Sequence, residues 1–231
     1  EYFGEHNTGN HLANNGRALF LGGLALGIDY WASIGGDILC TEARRIFSAS
    51  GVLREGSSHY HLLLARSYAE CWLAAKAAHR PETDALAAIT RAALSVIPAL
   101  SLPAGLPLIG DISPDCPPRH LVGLIDTDSR QGWISLLAPS DRQALLDMMA
   151  GTVVGDPRPD GWLRADIHDW TGLWHCAPAG WSHMPGHGHQ DCGGFELHYD
   201  GEAVFIDPGR GAYGEVGEAA RYRAAGVHNA L

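Results

Sequence analysis

Basic residues are scarce: 16 Lys and Arg stand against 26 Asp and Glu, a formal net charge of −10 with His neutral. That balance excludes non-specific attraction to nucleic acid or to an anionic membrane surface, so a polyanionic ligand needs a locally basic or polar site. Cysteine is sparse as well. Cys40, Cys71, Cys116, Cys176 and Cys192 are odd in number, far apart and without a CxxC pair, which argues against a zinc ribbon and a disulfide framework. Buried thiols are the expectation. No run of 18 apolar residues suggests membrane insertion, and neither a Met nor a basic leader precedes Glu1-Tyr2-Phe3-Gly4-Glu5. The chain reads as an internal fragment, so the missing leader is uninformative. Charged residues make up only 18% against 46% apolar, enough apolar chain over 231 residues to bury a sizeable core. Phenylalanine is rarer than histidine, five against 13. The histidines cluster at His59 and His61 and again at His183, His187 and His189, which points toward site chemistry.

Up to about residue 150 the chain is rich in Ala and Leu at helical spacing. Residues 10–27 carry Leu12, Leu19, Leu24 and Ala25 with few charges, as a helix enclosed by others does, with Thr8 or Asn10 as N-cap. An amphipathic helix is predicted over 29–48, where Trp31, Ile34, Ile38 and Phe47 alternate with Glu42, Arg44 and Arg45. After Ser57-Ser58, the residues Tyr60, Leu64, Tyr68 and Trp72 recur every four positions, the clearest helix in the chain, ending before Pro81. Further helices are predicted over 83–99 and 141–150, the latter with a Ser140/Gln143 capping box and Gly151 as its stop. Between them, Pro103, Pro107, Pro114, Pro117 and Pro118 mark a long ordered loop or crossover. Beyond residue 155 the pattern changes. Phe195, Leu197 and Tyr199 alternate with polar residues, Asp200-Gly201 turns the chain, and Ala203 to Ile206 returns it, a hairpin signal. Trp162, Trp170, Trp174 and Trp181 crowd the same region. The reading is a helical domain over 1–154 and a β domain over 155–231.

Three polar segments stand out. The first, Asn7 to Asn15, packs amides and His11 around a helix start, where N-capping alone would also explain them. The second, Arg54 to His61, puts Tyr60 in the first turn of a helix, where unpaired N–H groups favour a phenolate; filling an apolar stripe is the plainer role. Alternate helix starts of antiparallel helix pairs lie on one rim, so Asn10, His11 and Tyr60 are placed to converge on one cleft. The third runs from His183 to Asp191, followed by Asp207 and later His228-Asn229. His187 and His189, with Gly188 between them, are expected to serve different roles unless that glycine bends the chain. Two His and an Asp can hold a divalent metal, usually Zn²⁺; a surface His-rich loop is the alternative. If Asp200-Gly201 is a two-residue turn, Tyr199 pairs with Glu202 and Asp207 faces Gly194, leaving His189 roughly 16 Å away along extended chain. A metal there needs a bend at Gly193 or Gly194.

Asn10-His11 before an Ala/Leu helix, Glu55-Gly-Ser-Ser-His-Tyr60-His61, His187-Gly-His189-Gln-Asp191-Cys-Gly-Gly-Phe195, Asp207-Pro-Gly and His228-Asn229, in this order, resemble the heparinase II/III-like polysaccharide lyases. The resemblance runs over nearly the whole chain. It implies a multidomain α and β protein in which a partial (α/α) toroid is followed by an antiparallel β-sandwich domain, with the substrate cleft between. It also implies that Asn10 and His11 neutralise a substrate carboxylate, that Tyr60 is the catalytic acid/base, and that His187 faces the same cleft. By the same match His189, Asp207 and His228 would hold a structural Zn²⁺. The expected partner is an acidic polysaccharide, with no nucleic acid and no membrane insertion, in the periplasm or cell envelope. The expected reaction is β-elimination at a uronic acid, with cationic His59 and His61 lowering the Tyr60 pKa. Other readings stay open: a polysaccharide-binding protein with little turnover, a hydrolase using His189, Asp207 and His228 around an open metal site, and a helical interaction domain. Trp181 is a candidate sugar-stacking platform or core residue.

Overall fold

The computed structural model describes residues 9–129, 131–176, 187–189, 192–210, 212, 214 and 216–229; Thr8, Trp181, His183 and Asp191 lie outside the described residues. Helices occupy the first part: α1 (Asn10–Leu26), α2 (Asp29–Ile46), α3 (Ser58–Ala77), α4 (Thr83–Ser95), α5 (Ile97–Leu100) and α6 (Pro139–Ala150). A four-stranded antiparallel meander follows, β1 (Trp162–Ile167), β2 (Trp170–His175), β3 (Gly194–Tyr199) and β4 (Glu202–Phe205), and then a short α7 (Gly217–Arg221). This order is that of a partial (α/α) toroid followed by an antiparallel β domain.

The four-residue spacing on α3 produces the expected helix, but with nearly every side buried. Tyr68 and Leu64 are fully enclosed, and the Tyr68 hydroxyl donates to Leu39 O on α2 at 3.0 Å. Close packing of α1 on α2 depends on absent side chains: a Cβ on Gly35 would stand 2.3 Å from Phe20 N. Two helix starts differ from expectation. Gly9 precedes α1 without a side-chain cap, because Asn10 is itself the first helical residue and its side chain is engaged elsewhere. The Ser140/Gln143 capping box is absent, since α6 begins at Pro139 and Gln143 instead donates to Asp147. The predicted 83–99 helix breaks at Val96 into α4 and α5. Thr83–Leu100 is the one stretch of membrane-spanning length and composition among the described residues, yet Leu86, Ala93, Leu94, Ile97 and Leu100 along it lie in the core.

The sheet docks on the helical part through its own small core. Trp162 of β1 and Leu173 of β2 pack against Val52, Val96, Leu100, Leu102 and Ile109. Polar bonds flank this seam: Ser48 and Ser50 donate to the buried Asp160, and Ala104 N donates to His198 Nδ1 at 3.2 Å. The hairpin pairs Tyr199 with Glu202 as the Asp-Gly turn requires. A bulge between Leu197 and His198 then shifts β4, so Leu197 pairs with Phe205 and the expected facing of Asp207 with Gly194 is lost. The segment around Asn229 takes the place beside β3, with Phe195 N bonded to Asn229 O at 3.2 Å.

Leu173 is fully buried in the seam. Leu173→Ala is expected to cost about 3 kcal/mol of folding stability, read as a lower urea midpoint at unchanged slope. A loss below about 1 kcal/mol would show that the seam is not well packed.

Candidate active site

The site grows from the start of α3. Ser57 caps the helix: its Oγ accepts from Tyr60 N at 3.0 Å and donates to Asp111 O at 2.7 Å. Ser58 Oγ donates to Pro107 O and accepts from Ile109 N. These two serines latch the proline-rich loop to the helix start. Gly110 allows the approach, since at φ 79° a Cβ there would stand 2.6 Å from Gly56 O. Asp111 is delivered inward as a result, and its N–H donates to His187 O at 3.0 Å.

Asp111 is 1% exposed and binds three side chains. His187 Nδ1 lies 2.9 Å from Oδ2, His189 Nε2 lies 2.7 Å from Oδ1, and Arg210 Nη1 donates to both oxygens at 3.0 and 3.1 Å. Burial works to raise its pKa, but these bonds prevail and hold the carboxyl well below the usual carboxylate range. His187 thereby comes to rest on Tyr60, ring centroids 3.7 Å apart and planes 16° from parallel. Its Nε2 lies 3.3 Å from Asn10 Nδ2. Asn10 is oriented in turn by Glu55, which accepts from Asn10 N at 2.7 Å and from Asn10 Nδ2 at 3.2 Å. Burial raises the Glu55 pKa, opposed by the neighbouring His187, the Asn10 bonds and His11.

Asn10, Tyr60 and His187 therefore meet, drawn from α1, α3 and the segment before β3. His11 stands exposed one residue along α1, near enough for its charge to act on Glu55. Glu55 was visible only as part of a motif, and Asp111 and Arg210 carried no sequence signal, one lying in a proline-rich loop and the other after Asp207-Pro-Gly. His59 and His61 are not cationic neighbours of Tyr60. Both are buried: His61 Nδ1 accepts from Leu53 N at 3.1 Å while its Nε2 meets Ala93 O at 2.9 Å, and His59 Nδ1 accepts from Ser113 N. Burial pushes each imidazole down to about 4, so both are neutral core residues that fasten backbone.

His189, Asp207 and His228 also converge, although the spacing seemed to forbid it. A turn at Gly193, φ 75°, supplies the bend. The His189 and His228 rings lie 4.9 Å apart, and His228 Nδ1 is 3.0 Å from Asp207 Oδ2. No group of three His, Cys, Asp or Glu side chains is closed around a metal position among the described residues. The donor chemistry nevertheless fits one. His228 Nε2 faces Tyr222 O at 2.7 Å and so carries its proton there, which in the neutral ring turns a bare Nδ1 toward the Asp207 carboxylate. His189 gives its Nε2 proton to Asp111, and its buried Nδ1 has no partner among the described residues. Two lone pairs and a carboxylate in one place suit a cation, with Asp111 and Tyr222 O as the outer partners that fix ligand tautomers.

Residues 161–231 match the family model described as Heparinase II/III-like, C-terminal. The match is confined to the C-terminal third of the chain. The fold extends the likeness over almost all of the chain. A crystal structure of heparinase III superposes with a TM-score of 0.67 at 18% identity, covering 96% of this chain and 38% of that one. Heparan sulfate lyase HepC from Pedobacter heparinus gives 0.59 at 21% identity, covering 98% of this chain and 37% of that one, and a mutant of it gives 0.64 at 20% identity over the same shares. The chain thus spans less than two fifths of these structures, and the likeness establishes its fold. No curated protein matches in sequence. The matched residues include His187, His189, Asp207, Arg210 and His228, while Asn10, Glu55, Tyr60 and Asp111 come from the helices and loops before them.

Unfolded imidazoles titrate near 6.5, whereas His59 and His61 resist protonation until about 4. A depressed folded pKa in a base means stability that is full above pH 6.5 and is lost as pH falls toward 4. The expected loss is on the order of 3 kcal/mol per imidazole, read from denaturation midpoints across that window. His61→Gln should flatten the profile, and an unchanged wild-type midpoint from pH 6.5 to 4 would contradict the assignment.

Proposed function

We propose that this chain carries the active site of a polysaccharide lyase that cleaves a uronic-acid-containing polymer by β-elimination. The observation that carries this reading is the stacking of Tyr60 on His187 beside Asn10, where the helical part and the β domain meet. A uronic acid has a weakly acidic proton on C5, next to its carboxylate. Removing it develops a second negative charge on the carboxylate oxygens, which needs donors already in place. Asn10, His11 and His187 are the groups proposed to neutralise that carboxylate, and Tyr60 the acid/base that serves C5 and the leaving O4. Where proton and leaving group lie on opposite faces, a different division follows. With its Nδ1 proton held by Asp111, a neutral His187 has its lone pair on Nε2, so it takes the C5 proton while Tyr60 protonates O4. The configuration of the sugar at C5 decides between the two.

Zn²⁺ held by His189, Asp207 and His228 is proposed in a structural role. When bound, such an ion would crosslink the segment before β3 to the loops after β4, and no step of the elimination passes through it. The expected setting is the periplasm or cell envelope, and the expected partner an acidic polysaccharide.

Tyr60→Phe is expected to lower kcat by about 10²–10⁴-fold, followed as ultraviolet absorbance of the unsaturated uronate product, with substrate binding nearly unchanged. Full activity in that variant would defeat the assignment. Chelation should lower Tm while elimination persists at temperatures where the fold survives. Immediate loss of chemistry, with hydrolysed rather than unsaturated products before chelation, would favour the hydrolase reading.

A further inference from the structure

The five cysteines do not share the buried setting expected of them. Cys71 and Cys116 are buried and Cys40 half-buried, but Cys176 and Cys192 are exposed. These two stand 16 positions apart in sequence, yet their sulfurs are 3.7 Å apart. The sheet explains the meeting. His175 at the end of β2 is the register partner of Gly194 at the start of β3, and Gly193 N donates to His175 O at 2.9 Å. Cys176 and Cys192 lie just beyond these paired ends. Cys176 is anchored by its own N–H, which donates to Gly161 O at 2.8 Å, and the positive φ of Gly193 swings Cys192 toward it.

We propose that Cys176 and Cys192 form a disulfide that clamps the neck of the segment carrying His187 and His189. A disulfide needs sulfurs about 2.05 Å apart, so closing the gap takes a movement of about 1.7 Å, within reach of side-chain rotation in two exposed residues. The chemistry is exchange with a small-molecule disulfide. One cysteine thiolate attacks that disulfide, forming a mixed disulfide and releasing one thiol. The second thiolate attacks the protein-side sulfur of the mixed disulfide and releases the second thiol. Two protein S–H bonds are replaced by one S–S bond, and the two electrons and two protons leave on the released thiols. Selectivity follows from exposure: burial pushes the Cys71 thiol up to about 12, out of reach of exchange. The closed ring contains both imidazoles that bind Asp111, so the crosslink restricts in the unfolded chain a segment that the fold must order around one carboxylate.

The test equilibrates the full chain with oxidised glutathione under native conditions, alkylates it, and maps the peptides without reduction. The expected result is a peptide pair linked through Cys176 and Cys192, with alkylation lost at both. Tm should rise by about 6 °C or more over the dithiothreitol-treated protein, and this redox shift should vanish in Cys192→Ser. Persistent alkylation of both cysteines, glutathione adducts without the crosslink, pairing with another cysteine, or an equal redox shift in Cys192→Ser would each overturn the proposal. The peptide map reads the wild-type chain and stands whether or not the variant folds.

Discussion

A carboxylate with almost no exposed surface is stable in a protein interior only when donors replace the water it has lost, and Asp111 has that replacement from three directions. Arg210 spans both oxygens, His187 takes one and His189 the other, and together they overcome the effect of burial on its acidity. The three donors lie in segments remote from Asp111 in sequence. The site therefore exists only while the proline-rich loop stays latched to the start of α3, and Ser57 performs both tasks, capping the helix below Tyr60 and holding the Asp111 carbonyl. Helix start, loop and β domain are made interdependent by one buried charge.

That charge also sets the direction of two imidazoles. His187 meets Asp111 through Nδ1 and His189 through Nε2, so the neutral rings carry their free lone pairs on opposite nitrogens. The lone pair of His187 turns to Asn10, and that of His189 is buried beside His228 and Asp207. Two residues separated by one glycine thus acquire different chemistry from one carboxylate. The first suits proton transfer at a cleft, and the second suits a structural ligand. Side chains two apart on extended backbone share a face, so strand alternation does not produce this division of roles; the shared carboxylate does.

Periodicity made the helices legible. Tyr60, Leu64, Tyr68 and Trp72 place α3 to within a few residues, and the Asp200-Gly201 turn gives the correct pairing of Tyr199 with Glu202. The convergence of Asn10 with Tyr60 follows from helix starts sharing a rim. Asp111 and Arg210 were illegible because nothing local marks them: an aspartate in a proline-rich loop and an arginine after a turn are ordinary until long-range contacts join them. His59 and His61 misled because proximity in sequence to Tyr60 suggested shared chemistry, whereas helical geometry turns them toward backbone groups of Ser113, Leu53 and Ala93. The hairpin bulge was equally hidden. An arithmetic of strand pairing assumes an unbroken ladder and extended chain; the extra residue Val204 shifts the register by one, and the turn at Gly193 brings His189 back toward His228 and Asp207.

An acidic chain proposed to handle an acidic polymer must keep its own carboxylates from repelling the ligand. Two of them stand at the heart of this site, and both are internally engaged. Asp111 directs its oxygens to Arg210 and two imidazoles, and Glu55 directs its own to the backbone and side chain of Asn10, with burial favouring its neutral form. The groups left to meet a sugar are an amide, two imidazoles and a phenol, none of which adds negative charge at neutral pH in its ordinary form. The acids are positioning devices for these groups. Local neutrality at the site is compatible with a strongly negative whole because the Debye length in physiological salt, about 8 Å, confines each ligand group to the charges of its immediate surroundings.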